Sequence, residues 1–250
     1  MSHKKWTTLV SLAVCLLAAE SGAAEPLTLG FLTRPGFADL QNGRPVGAFL
    51  SLAGDAVEKS GLPEVKWEPL PQKRMIDRVR EGKESICAVG IYKTEERLAF
   101  AKFSNPFYRD RPFTIVTSSA KSALVKKHAS FSDLVADQEL SLTAIDGFSY
   151  GAYVDDIIKQ AKNVSRKAVT VTNLYGMMSA DRIDYFIGDP EEYDTNLELN
   201  GIRNDALVAI EFPDFKEGAL RHFMCSKAVD DQVIQKLNEG ISATQPGRAF

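Results

Sequence analysis

The chain has 250 residues, 44% of them hydrophobic and 25% charged, with 30 basic against 33 acidic side chains and a formal charge of -3. These values fit a globular protein of one or two compact units, and they exclude a collagen-like chain, a disordered tail and a multi-span membrane protein. A balance this close to neutral also lacks the basic excess of a nucleic-acid binder, so no nucleic-acid partner is expected.

The N-terminus carries a basic head (Lys4, Lys5), an apolar run from Trp6 to Ala19 and a small-residue stretch ending Gly22-Ala23-Ala24. The run is short for a hydrocarbon layer of about 30 Å. The pattern predicts a secretory signal peptide over residues 1–24, cleaved after Ala24, and hence export to the periplasm. Cleavage removes Cys15 and leaves Cys87 and Cys225. In an exported protein such a pair is either a disulfide or two thiols buried separately.

The remainder alternates strand-like and helix-like segments. Strands are expected at Leu27–Leu32, Val65–Pro69 and Ser85–Ile91, with helices at Leu50–Ser60 and Lys73–Glu81 closed by Gly61 and Gly82. Gly43 and Gly47 bracket a turn. A second series follows: strands at Phe113–Thr117, Leu140–Ala144, Val169–Thr172, Tyr185–Ile187 and Leu207–Ile210, with helices at Phe131–Ala136, Ala152–Lys162 and Leu174–Ala180. Leu220–Cys225 is a last strand and Val229–Ile241 a last helix. The alternation predicts two α/β units, each a mostly parallel sheet flanked by helices. No flexible linker separates them; strand-like connections at Tyr108–Thr117 and after Glu211 join them instead. Open α/β sheets bind ligands beyond the carboxyl ends of their strands, so two facing units predict a cleft.

Three loops at strand ends carry candidate chemistry. In Val89-Gly90-Ile91-Tyr92-Lys93-Thr94-Glu95-Glu96-Arg97, Thr94 suits a helix N-cap and the Arg97 fork suits a carboxylate, or simply solvent and Glu96. In Asp146-Gly147-Phe148-Ser149-Tyr150-Gly151, the start of the following helix favours an anion, although a plain glycine turn accounts for the sequence equally well. In Gly188-Asp189-Pro190, Asp189 is placed to hold an ammonium group, to cap a helix opened by Pro190, or both. None of the three histidines, His3, His128 and His222, lies on a glycine loop, and there is no CxxC, HExxH, Gly-x-Ser-x-Gly or GxGxxG. Zinc, serine triads and dinucleotides therefore lack support, and no cofactor is expected.

The ordered pieces Thr94-Glu95-Glu96-Arg97, Phe103-Ser104-Asn105-Pro106-Phe107-Tyr108 and Arg182-Ile183-Asp184 leading to Asp189 resemble the extracellular solute-binding proteins of family 3, the polar amino acid-binding class of ABC importers. The resemblance runs from about Leu27 to Asn238. It implies a two-lobe fold of the type II periplasmic-binding class, with 25–110 and 214–250 in lobe 1 and 111–213 in lobe 2, joined by two hinge strands. It implies further that Arg97 binds a ligand carboxylate and Asp189 an ammonium, with Gly90, Thr94, Gly147 and Ser149 completing the clamp. Tyr92 and Phe148 join the ligand-binding set as aromatics where a small hydroxyl is usual, which reshapes the pocket, and Phe37 is a further candidate. Where the family has Gly-Phe-Asp-Val-Asp-Leu, this chain reads Gly47-Ala48-Phe49-Leu50-Ser51-Leu52.

The implied fold returns the Leu220–Cys225 strand beside Ser85–Ile91, which makes Cys87 and Cys225 candidate cross-strand disulfide partners. The implied protein is a monomer that is not an enzyme and serves an ABC permease. A dehydratase-like lyase acting on a cyclic carboxylic acid and a ligand-sensing module without a transport role remain as alternatives.

Overall fold

A computed structural model describes residues 26–244; the expected signal peptide lies outside them. The first part of the chain runs β1 (Thr28–Phe31), β2 (Asp39–Gln41), β3 (Arg44–Val46), α1 (Leu50–Lys59), β4 (Lys66–Pro69), α2 (Gln72–Glu81), β5 (Ile86–Tyr92), α3 (Glu95–Leu98), β6 (Lys102–Phe103) and β7 (Tyr108–Arg109). The second part runs β8 (Thr114–Ser118), α4 (Ser122–Val125), α5 (Phe131–Ala136), β9 (Leu142–Ile145), α6 (Ala152–Gln160), β10 (Val164–Lys167), α7 (Val171–Ser179), β11 (Tyr185–Gly188), α8 (Tyr193–Leu199) and β12 (Leu207–Ile210). The chain then closes with β13 (Leu220–Cys225) and α9 (Asp231–Thr244). No helix among the described residues is long and apolar enough to cross a membrane.

Two large sheets organise these elements, and β2 and β3 pair with each other as a separate hairpin. The first has the order β4-β1-β5-β13-β6, with β7 also paired to β13; the second has the order β10-β9-β11-β8-β12. In each, three strands run parallel (β4-β1-β5 and β10-β9-β11) and the rest add antiparallel, so the sheets are mixed, with a parallel half. The antiparallel halves arise because the chain crosses between the sheets twice. β7 leads through 110–113 into β8, and β12 returns through 211–219 into β13. The crossings lie side by side: Asp110 N donates to Ala219 O at 3.0 Å, and a Cβ on Gly218 would stand 1.7 Å from Asp110 O.

The parallel halves explain the local sequence. Every residue of β5 is buried, because a strand covered on both faces reads as a continuous apolar run rather than an alternation. On one face Met75, Ile76 and Val79 of α2 pack with Ile86, Ala88, Ile91 and Met224. On the other, Leu50, Ala53 and Ala56 of α1 and Leu237 and Ile241 of α9 meet Leu29, Phe31 and Val89. α2 stops at Gly82, whose φ of 67° suits a residue without a Cβ. In the second sheet α5 and α6 cover one face and α7 and α8 the other.

Two local expectations are overturned. The strand expected at Val169–Thr172 lies earlier, as β10, while Val171 opens α7. Thr170 takes the amide of Asn173 and Asn173 takes the amide of Thr170, a capping box that outweighs the β-branched run around it. Pro190 opens a turn and not a helix; Asp189 Oδ1 accepts the Glu191 amide at 3.0 Å, and α8 begins only at Tyr193.

Cys87 and Cys225 stand opposite each other in the β5–β13 register and form a disulfide. In protein beginning at Glu25, alkylation followed by intact mass should label neither cysteine before reduction and both after it. Reduction should cost about 2–5 kcal/mol of stability in urea. α1 and α9 approach so closely that a Cβ on Gly240 would stand 2.0 Å from Ala56 O. Gly240→Ala should therefore lower the unfolding free energy measured in urea by about 1–3 kcal/mol, moving the midpoint down with an unchanged slope.

Candidate functional site

The carboxyl ends of β1 and β5 and the crossing strands face the ends of β9 and β11 across a cleft. Arg34, Gly90, Arg97 and Arg221 line it from the first sheet; Phe148, Ser149, Asp189 and Glu192 line it from the second. The space between them is about 50 Å³. An outer chamber of about 300 Å³, bordered by Pro35, Lys73 and Val169, shares the Arg34, Gln72 and Phe148 walls.

Arg97 is set by its helix. The Thr94 hydroxyl accepts the Arg97 amide and caps α3, which starts the arginine one turn from the end of β5. The side chain is 7% exposed, and Nη1 donates to Tyr92 O at 2.8 Å. Among the described residues no carboxylate lies within 4.0 Å of its guanidinium. Burial pushes its pKa down, since a desolvated charge without a close counter-charge is disfavoured.

Arg221 is fully engaged. Its Nε donates to Asp110 Oδ1 at 2.6 Å and its Nη1 to Gly90 O at 2.9 Å, and its guanidinium lies about 5 Å from the rings of Phe37, Phe49 and Tyr92. The Tyr92 hydroxyl also donates to Asp110, and burial pushes that phenol's pKa up. Gly90 has φ of 79° and a Cβ there would stand 2.5 Å from the Phe49 ring, so this close approach requires glycine.

The third arginine spans the cleft. Arg34 Nε donates to Glu192 Oε1 at 2.8 Å; its Nη2 donates to the other Glu192 oxygen and, at 3.3 Å, to Asp189 Oδ2. Its guanidinium rests 4.3 Å above the Phe37 ring centre. Burial pushes the Glu192 carboxyl up despite Arg34 beside it. Two further bonds cross nearby: the Tyr108 hydroxyl to Glu191, and Gln72 Nε2 to Gly147 O at 3.1 Å.

Of the residues singled out in the sequence, Arg97, Asp189, Gly90, Tyr92, Phe148 and Ser149 come together around the cavity. Three do not line it. Thr94 serves as the α3 cap, Gly147 meets Gln72 through its carbonyl, and Phe37 is wholly buried beneath the arginines. Just ahead of the Gly151 N-cap of α6, Asp155 accepts the Tyr150 amide at 2.8 Å and the Ser149 hydroxyl. Sequence reasoning missed Arg34, Glu192, Arg221 and Asp110. Arg34 alone carried a signal, its place just beyond the carboxyl end of β1. The others depend on partners 111 to 158 positions away.

Solved structures share this architecture. An ancestral arginine-binding protein bound to arginine superposes with a TM-score of 0.67 at 20% identity, over 87% of this chain and 91% of that one. The arginine-, lysine-, histidine-binding protein ArtJ from Geobacillus stearothermophilus gives 0.68 at 16%, over 88% and 89%. AncCDT-1, an ancestral amino acid-binding protein and precursor of cyclohexadienyl dehydratase, gives 0.64 at 18%, over 87% and 88%. At these identities the likeness establishes the two-lobe fold. Comparison with curated protein sequences gives no significant match. The sequence pattern of one family matches residues 30–245, nearly the whole described chain, and the protein belongs to the bacterial extracellular solute-binding proteins, family 3.

Proposed function

We propose that this protein is a periplasmic receptor that closes on a small carboxylate-bearing ligand, an amino acid or related organic acid, and delivers it to an ABC importer. In this reading 25–110 with 214–250 form lobe 1, 111–213 form lobe 2, the crossings at 110–113 and 211–219 are the hinge, and residues 1–24 direct export. The observation that carries it is Arg97, a buried guanidinium in the cleft with no carboxylate within 4.0 Å. Holding such a charge unpaired costs several kcal/mol. A ligand carboxylate would relieve that cost, present two oxygens to the fork and gain strength as closure expels water. In this scheme Asp189 is the position for an amine, if the ligand has one.

A second reading, a lyase acting on a cyclic carboxylic acid, draws support from Glu192, a carboxyl in the cavity wall that burial pushes toward its protonated form. It requires turnover, lost in Glu192→Gln.

A thermal-shift screen of protein beginning at Glu25 against amino acids and organic acids tests the receptor reading. A ligand at 100 times its Kd should add about 2.7 kcal/mol of stability and raise the midpoint. Arg97→Ala should abolish that rise and weaken binding in calorimetry by about 100-fold or more; unchanged affinity overturns the assignment.

A further inference from the structure

The amine half of the site is already filled by the protein. Asp189 and Glu192 face the cavity with side chains 3% and 1% exposed, and Arg34 from the opposite sheet reaches both. Its fork grips Glu192 through two nitrogens, and Nη2 is shared with Asp189 Oδ2. The remaining Asp189 oxygen takes the Glu191 amide at 3.0 Å. The Arg34 backbone is held in a bridge to Ala38, and the side chain is pressed against the Phe37 ring.

We propose that Arg34 takes the place of a ligand's ammonium group at Asp189 and Glu192, so that the cleft selects carboxylic acids carrying no amine beside the carboxylate. The inference rests on the carboxylate-binding reading of Arg97. An ammonium at Asp189 would stand against the Arg34 guanidinium in a space with little water to screen the two cations. The ion pairing agrees. Arg221 is matched by Asp110. Arg34 is matched by Glu192 and Asp189. Arg97, with no carboxylate within 4.0 Å, is the guanidinium that remains for a ligand's carboxylate. The wall beside it, with Phe113, Ile145, Phe148 and Ile187, suits an apolar body in place of a second polar head.

Matched sets isolate the amine: L-alanine with pyruvate and L-lactate, L-leucine with 4-methyl-2-oxopentanoate, and L-phenylalanine with phenylpyruvate. Calorimetry on wild-type protein should give binding by the amine-free member of at least one set, with its amino acid weaker by about tenfold or more. R34M, and R34M with E192Q to relieve the stranded acid, should narrow or reverse that ratio, with folding checked by circular dichroism. An amino acid that binds wild-type protein as tightly as its amine-free partners overturns this inference and leaves the Arg97 reading standing. An unchanged ratio in a folded R34M/E192Q protein also overturns it. If no acid of either class binds, the carboxylate reading itself fails and takes the inference with it.

Discussion

The organisation of the cleft depends on one carboxylate at the point where the chain leaves the first sheet. Asp110 receives the Arg221 guanidinium and the Tyr92 hydroxyl, while its own amide bonds the returning strand at Ala219. A single residue, through its side chain and its amide, thus ties the outgoing crossing, the returning crossing and the end of β5. A charge pair this deeply buried contributes little net stability, and removing one member strands the other at a cost of about 3–5 kcal/mol. Its consequence here is registry. Gly90, Tyr92 and, through the Tyr92 carbonyl, Arg97 take their positions from a knot at the base of the crossing.

Around that knot the cleft distributes charge unevenly. Arg221 and Arg34 have carboxylate partners and Arg97 has none within 4.0 Å. Just ahead of α6, the Tyr150 amide and the Ser149 hydroxyl are spent on Asp155. The polar groups that remain for a visitor are therefore few and face one region, which is the usual plan of a small-molecule site: apolar walls with a few fixed polar groups.

The fold was largely readable from sequence because its parallel halves obey local rules. Met75, Ile76 and Val79 mark the buried stripe of α2 and Gly82 its end; Ser130 and Thr94 cap helices as their types suggest. β10 escaped because Val164-Ser165-Arg166-Lys167 is an edge strand with one neighbour and no apolar alternation, whereas Val169-Thr170-Val171-Thr172 looks like a strand and is claimed by a cap. Half the site was legible for a comparable reason: Arg97, Asp189, Gly90 and Ser149 fall at or just beyond strand ends in a recognisable order. Arg34, Glu192, Arg221 and Asp110 were not, since an ion pair between positions 158 apart leaves no trace in spacing. The cysteines were intermediate, two residues whose pairing became natural only once β13 was laid beside β5.

That covalent bond also changes what the second sheet is in topological terms. β8 to β12 lie entirely between Cys87 and Cys225, whose separation is 138 residues, so the second half of the molecule is an excursion from a closed ring. Backbone scission anywhere along that excursion cannot release a fragment: the two pieces stay one molecule, and the first sheet keeps both of its borders. Melting of the excursion likewise begins and ends at fixed points, which denies the loosened chain part of the freedom that would reward it for unravelling.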